Sequence, residues 1–382
     1  MKSFLFSIGA IGLVIAGIAG RWFNTPAFAP YAVWFLGVGL VLLFYVVLRT
    51  TYYRSDTPWP QTSNQPQPLH LTWLDYMKVF ICWFDAFKQT YAIEPGLYYT
   101  GEQYDRQTPL LVTANYFLSV FLVVRRIRNF NARLLVIDTD GINVWCSAGK
   151  EKFSNEEITK QLDRYDRSLL TDDKRVSLIL PKLSLAGVRL RELRKSHIRP
   201  VIGPVYAKDL PEYLSQPPFK DCDEDRVVFG LQSRLFTWLP GLVQVLGYSF
   251  GIVFLFWILE QIWKFPVPLG IIAITAILAG AYPILFPWIP GRRFAVKGLW
   301  LAAFTSLIIC VLTATGKLFF ADLPMALLFT FGTAIFYGLS YTGNSAVSNY
   351  SRVRKEIARF LPIYAFLYAG SLAAFIVTEV YR

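Results

Sequence analysis

LLVTANYFLSVFLVVRRIRNFNARLLVIDTDGINVWCSAGK, residues 110–150, changes its hydrophobic period twice and so sets the fold of the region around it. Leu110–Ala114 and Leu134–Asp138 are short continuous apolar runs, the pattern of strands buried on both faces. Leu118–Arg128 lies between them and reads as a helix. The same alternation continues downstream. Ser154–Arg167 is a helix opened by Ser154 with Glu157 three residues later, a capping box. Val176–Leu180 is a third strand, Gly187–Lys195 a helix, Arg199–Ile202 a short strand and Leu210–Leu214 a short helix. Continuous apolar strands alternating with helices predict a Rossmann-like α/β domain on a parallel sheet. Ligands of such sheets sit outside the carboxyl ends of the strands. The residues of interest are therefore Thr113–Tyr116, Thr139–Lys150 and Pro181 onward.

Composition places this domain in a membrane protein. The 382 residues are 54% hydrophobic and 17% charged, with mean hydropathy +0.40. Soluble domains carry about 25% charged residues, so an ordinary soluble enzyme is excluded. Apolar runs of spanning length occur at 4–20, 31–49, 238–259, 269–289, 298–316, 323–342 and 362–380; a helix needs about 20 residues to cross the hydrocarbon. The first two read as an uncleaved hairpin, with a signal peptide as the alternative. The divisions that follow are 1–50 (hairpin), 51–90 (linker and interfacial helix), 91–235 (α/β domain) and 236–382 (five-helix, all-α polytopic membrane domain). Within 51–90, the apolar stretch Leu71–Lys88 lies on the membrane surface or packs against the next domain.

The net charge of +12 does not point to nucleic acid. Residues 50–235 hold 25 Lys/Arg against 22 Asp/Glu, which leaves 13 against 4 beside the apolar segments. Loop 290–297 carries Arg292, Arg293 and Lys297, and loop 343–361 carries Arg352, Arg354, Lys355 and Arg359, while the alternate loops carry little. Basic loops stay in the cytoplasm. This predicts an inner-membrane protein with residues 50–235 and the N-terminus inside and the C-terminus outside. The spans hold almost no charge, which argues against an ion pump.

One segment carries chemistry. Gly141–Lys150 is not a phosphate loop, since seven residues separate its glycines and Glu151 follows Lys150. A GxGxxG fingerprint is absent. With four Cys, two His and neither CxxC nor HExxH, zinc and intrinsic iron–sulfur sites lack ligands. What remains is Cys146, on a short helix at the carboxyl end of a strand and beside Lys150, a setting that favours a thiolate. Spacing alone leaves this open, because free Cys is also a common small core residue. Cys82 and Cys310 read as packing residues, Cys222 as an exposed thiol and His197 as a solvated loop residue.

Asn143-Val-Trp-Cys-Ser-Ala-Gly-Lys150 resembles the cap-helix motif of the membrane corrinoid protein family of microbial mercury methylation, itself related to the corrinoid iron–sulfur protein of acetyl-CoA synthesis. Pro95-Gly-Leu-Tyr-Tyr, Leu111–Tyr116, Val136–Asn143, Leu178–Leu183, Gly203–Pro211, Tyr341-Thr-Gly-Asn and Val353–Arg359 are similar to that family in the same order. The resemblance implies a corrinoid (cobalamin) held base-off, with Cys146 as the lower axial ligand to cobalt. Asn143, Val144, Trp145, Ser147, Ala148, Gly149 and Lys150 complete the cap. Thr113, Ala114 and Asn115 contribute from a neighbouring strand end. The implied activity is a corrinoid-dependent methyltransferase that passes a methyl group to Hg(II). The implied partners are a methylated folate or a methyltransferase as donor, and a ferredoxin-like protein with two 4Fe–4S clusters as reductant in an anaerobic cytoplasm.

The sequence departs from that family at Ser147, usually Ala, at Leu183–Gly187, at Phe117–Phe121 and in its N-terminal hairpin. Two other readings follow: a corrinoid methyl-transfer paralogue with another acceptor, and a non-catalytic membrane anchoring or binding protein.

Overall fold

The computed structural model describes residues 10–18, 36–37, 39–40, 43, 64–84, 92–222, 227–236, 241, 270–316, 323–342 and 350–380. The chain forms two compact units, one of residues 54–83 and 87–228, the other of residues 1–53, 84–86 and 229–382. Of the predicted span at 4–20, residues 10–18 are described and helical, while those at 31–49 and 238–259 lie largely outside the described residues.

The first unit holds a six-stranded sheet: β1 (Gln67–Pro68), β2 (Gly96–Thr100), β3 (Leu110–Ala114), β4 (Ala132–Ile137), β5 (Val176–Leu180) and β6 (Ile198–Ile202). The spatial order is β1-β2-β4-β3-β5-β6. β4, β3, β5 and β6 run parallel, while β2 pairs antiparallel with β4, with Leu97 opposite Leu135. The sheet is therefore mostly parallel, as expected of an α/β domain on a parallel sheet, with β2 its antiparallel departure. Its central strands bury every residue of β3 and β4. Arg133 is accommodated there because its guanidinium donates to the carbonyls of Thr108 and Leu170 at 2.6–3.0 Å.

Helix α1 (Trp73–Phe84) rests Tyr76 edge-on against Phe121 at 5.1 Å, so it packs on its own domain while Trp73 stays exposed. The β3–β4 crossover is α2 (Phe117–Ile127), which buries Val120, Phe121, Val124 and Ile127 on one sheet face. Between β4 and β5 the chain covers the other face with α3 (Val144–Ala148), α4 (Asn155–Leu162) and α5 (Arg167–Leu170). The single helix expected over 154–167 is thus two, although Ser154 Oγ does accept from Glu157 N at 3.3 Å as its capping box requires. A 3-10 turn over Lys182–Ala186 and α6 (Leu190–Lys195) precede β6, and α7 (Leu210–Leu214) follows it. β4 and β5 flank β3, and their crossovers lie on opposite faces. The carboxyl end of β3 is therefore the topological switch point, where such sheets open a crevice.

The second unit contains α8 (Gly270–Leu285), α9 (Phe294–Ala314), α10 (Leu323–Tyr341) and α11 (Tyr350–Val380). Three of its helices, Phe294–Ala314, Leu323–Tyr341 and Ser351–Thr378, are long and apolar enough to cross a membrane. At 1.5 Å per residue α11 reaches about 46 Å, well beyond the ~30 Å hydrocarbon. Its first turns, over Ser351–Arg359, were expected to be loop; they are helical and continue through Pro362. α9 and α10 meet backbone to backbone. A Cβ on Gly298 would lie 2.3 Å from Ala334 O, and one on Gly338 would lie 2.6 Å from Phe294 O, the close approach that small residues permit between apolar helices.

Two cations close the end of α8. Pro287 has no N–H to offer the carbonyl of Pro283; Arg234 Nη1 donates there at 3.0 Å and to Ile284 O at 2.9 Å. Lys297 Nζ donates to Phe286 O at 2.8 Å and also to Ile289 O.

Candidate functional site

Beyond β4 the chain reverses over Asp138–Gly141. Asp140 (φ +57°) and Gly141 (φ +66°) are both left-handed, a conformation that Gly adopts freely and that Asp tolerates. Asp138 Oδ1 accepts from Asp140 N at 3.0 Å. Asn115, the first residue after β3, is completely buried. Its Oδ1 accepts from Thr139 N at 2.9 Å, Thr139 Oγ1 at 2.9 Å and Gly141 N at 3.0 Å. Its Nδ2 donates to Asp138 Oδ1 at 3.3 Å. One amide thus fastens the turn after β4 to the end of β3.

The turn delivers α3. Asn143 is extended at the N-cap and its Oδ1 accepts from Cys146 N at 2.8 Å, satisfying a donor that the helix start leaves open. Val144 and Ala148 point down into the same core cluster as Ala114, Leu178 and Leu180. Trp145, 40% exposed, and Cys146 face outward. The free thiol therefore stands on the outer side of a short helix seated over the switch point.

Ser147 is turned inward: it is fully buried and its Oγ donates to Val144 O at 3.1 Å. Its carbonyl accepts from the amides of Lys150, Lys152 and Phe153, which closes the helix. Gly149 has φ −69° and a Cβ there would meet nothing nearer than 3.7 Å. Neither backbone nor packing demands glycine at this position, so its effect is to keep the outer surface low. Lys150 is exposed. Lys152 Nζ pairs with Asp140 Oδ2 at 2.9 Å, and that hydrogen bond and charge hold its ammonium above the usual lysine range.

The structure therefore brings Ala114, Asn115 and Asn143–Lys150 together. Thr113 is buried, and strand alternation turns it with Leu111 toward the α2 face, away from α3. Sequence reading singled out the stretch from Pro181 onward but not its role as the seat beneath α3. A Cβ on Gly187 would lie 2.3 Å from Phe153 O and 2.8 Å from Ala148 O. Ser184, in the adjoining turn, is buried with no hydrogen-bond partner for its hydroxyl. Its only local signal was one glycine ending an apolar run.

The other singled-out residues stand apart from this site. Cys82 is buried and Cys310 is half-buried, while His197 is exposed before β6 with φ +58°. Cys222 is half-buried, not exposed as expected, because its N–H donates to Ile202 O beside β6 at 2.9 Å. Among the described residues no three His, Cys, Asp or Glu side chains gather where they could hold a metal ion. A cleft of about 420 Å³, lined by Leu162, Asp163, Arg167, Val176 and His197, opens at the amino ends of β5 and β6.

No protein-family model matches the chain. It is 28% identical over 140 residues to the acetyl-CoA decarbonylase/synthase complex subunit gamma of Methanopyrus kandleri. The match covers 35% of this chain and 29% of that protein, so the chain spans less than a third of this relative's length. Fold and site together define an α/β domain with a switch-point cap helix, carried on a chain with membrane-length helices.

Proposed function

We propose that residues 91–235 bind a corrinoid above α3 and that the chain is a membrane corrinoid methyltransferase, delivering its methyl group to Hg(II). The observation that carries this reading is Cys146, an exposed soft donor on a capped helix over the switch point, within a segment that resembles a corrinoid cap. A single soft donor from the protein would suit a metal that arrives already held by its cofactor. The similarity to a subunit of an acetyl-CoA decarbonylase/synthase complex adds support from a second direction.

A bound corrinoid supplies a metal that carries methyl between donor and acceptor. The chain's own residues do the rest. Cys146 would supply a soft sulfur donor to the metal, and such a donor would favour release of methyl with its bonding pair, as Hg(II) requires. Asn143 orients Cys146 by holding its amide, and Asn115 holds the turn beneath them. Trp145, part-exposed on the outer face, would offer the corrinoid an apolar surface, and Gly149 would leave the helix surface clear. Reduction of the metal is assigned to a ferredoxin-like partner with two 4Fe–4S clusters, and methyl supply to a folate-linked donor.

Anaerobic reconstitution with cobalamin tests this by visible spectroscopy of wild type, Cys146→Ala and Cys146→His. The expected result is a cobalt spectrum that changes in both variants, with Hg(II) methylation lost in Cys146→Ala. Spectra indifferent to Cys146, or no bound corrinoid, would overturn the proposal in favour of an anchoring protein. A second acceptor, a partner protein of acetyl-CoA chemistry, is favoured by the gamma-subunit similarity. Corrinoid binding through Cys146 without turnover of Hg(II) would select it. Ser147 gives that alternative no support, since its hydroxyl is used inside the helix.

A further inference from the structure

The described cations of the helical unit gather at one end. α8 and α10 finish there, and α9 and α11 begin there. Arg292 and Arg293 immediately precede α9, and Arg352, Arg354, Lys355 and Arg359 occupy the first turns of α11. Glu356 Oε1 accepts from Ala295 N at 2.6 Å, which sets the starts of these two helices side by side. Arg352, Lys355 and Arg359 recur at i, i+3 and i+7, so they flank Glu356 on one helical face. Glu356 is buried, and among the described residues no other carboxylate lies at this end. Lys297 and Arg234 are committed to backbone carbonyls. The six remaining cations are exposed.

Directly along the same helices the surface turns apolar while staying exposed: Trp300 and Phe304 on α9, Ile363 and Phe366 on α11, Phe366 at 77%. A cationic collar above an exposed apolar band complements an amphiphile with an anionic head. Guanidinium groups bind phosphate oxygens in bidentate fashion, and acyl chains cover the apolar rows. A zwitterionic head carries an ammonium into the collar, and free phosphate has nothing to lay on the band.

We propose that an anionic phospholipid of the phosphatidylglycerol type binds at the joined starts of α9 and α11. This rests on the reading that these helices cross a bilayer. The test is native mass spectrometry of the full chain released from nanodiscs of mixed phosphatidylglycerol and phosphatidylcholine, with carbonate extraction of membranes run separately to score insertion. Wild type should retain phosphatidylglycerol over phosphatidylcholine. The fourfold variant R293Q/R352Q/K355Q/R359Q should lose about tenfold of that preference, while R194Q/K195Q, which removes charge from α6, should keep it.

Equal retention of the two lipids, equal loss in both variants, or displacement by millimolar inorganic phosphate would overturn the proposal. The single variants R293Q and R359Q, each expected to lose about twofold, serve if the fourfold variant does not fold. Extraction by carbonate would instead remove the membrane reading itself.

Discussion

Asn115 offers one carbonyl oxygen to three donors of the 139–141 turn, and the whole residue is shut away from water. Burying donors without a partner costs about 1–3 kcal/mol each. Asn115→Ala should therefore destabilise the α/β unit by about 2–4 kcal/mol and raise hydrogen exchange at the Thr139, Gly141 and Cys146 amides. Unchanged exchange there would show that the turn holds without it. Asn115→Asp keeps the acceptor but sets a carboxylate beside Asp138, whose Oδ1 lies 3.3 Å from the replaced nitrogen. Like charge raises the folded-state pKa of the new carboxyl above its unfolded value. Its protonated form then stabilises the fold at low pH, and that contribution is lost as pH rises through the folded pKa. The deficit of Asn115→Asp should accordingly narrow as the pH is lowered from 7 toward 4, whereas that of Asn115→Ala should not.

At the scale of elements, α3 is positioned by what lies under it. Gly187→Ala places a methyl group 2.3 Å from Phe153 O and 2.8 Å from Ala148 O, both backbone atoms that cannot rotate away. The helix must lift or the turn must move, at a cost of about 1–3 kcal/mol. The variant should alkylate Cys146 at a changed rate even without any cofactor; an unaltered rate would mean that the seat does not govern the thiol.

In the helical unit, Lys297→Met keeps the length of the stem but leaves the carbonyls of Phe286 and Ile289 without their shared donor. Thermal unfolding in detergent should show a loss of about 1–3 kcal/mol, and an unshifted midpoint would deny Lys297 its capping role.

Sequence periodicity located β3 and β5 to the residue, because runs such as LLVTA and VSLIL carry their own burial signal. It missed β2, whose five residues become a strand only by pairing with β4 more than thirty positions away. The Ser154 cap was legible because its partner is three residues on. The Asn115 contacts, 24 to 26 positions apart, were not. The helical start of α11 was taken for loop because its charge was read as a break. Arg and Lys are good helix formers, and a helix that emerges from the bilayer has every reason to become basic.

Across the whole molecule, charge asymmetry is the feature that connects composition to topology. Every Lys and Arg described between residues 227 and 380 lies at the α9-start, α11-start end of the helical unit, and none lies at the other. α9 and α10 reach about 32 and 28 Å at 1.5 Å per residue, which matches one crossing each of the ~30 Å hydrocarbon. Cations resist translocation, so the crowded end should remain in the cytoplasm. The prediction is that alkaline phosphatase fused after Gly291 is inactive and one fused after Arg382 is active, with green fluorescent protein giving the reverse pattern. The opposite activities would place the basic end outside and remove the charge argument. The outcome also bears on Cys146. Residues 50–235 and the loop at 290–293 are predicted to share one side, and the metal-donor role proposed for Cys146 needs the reducing cytoplasm, since an oxidising compartment would drive its thiol toward disulfides.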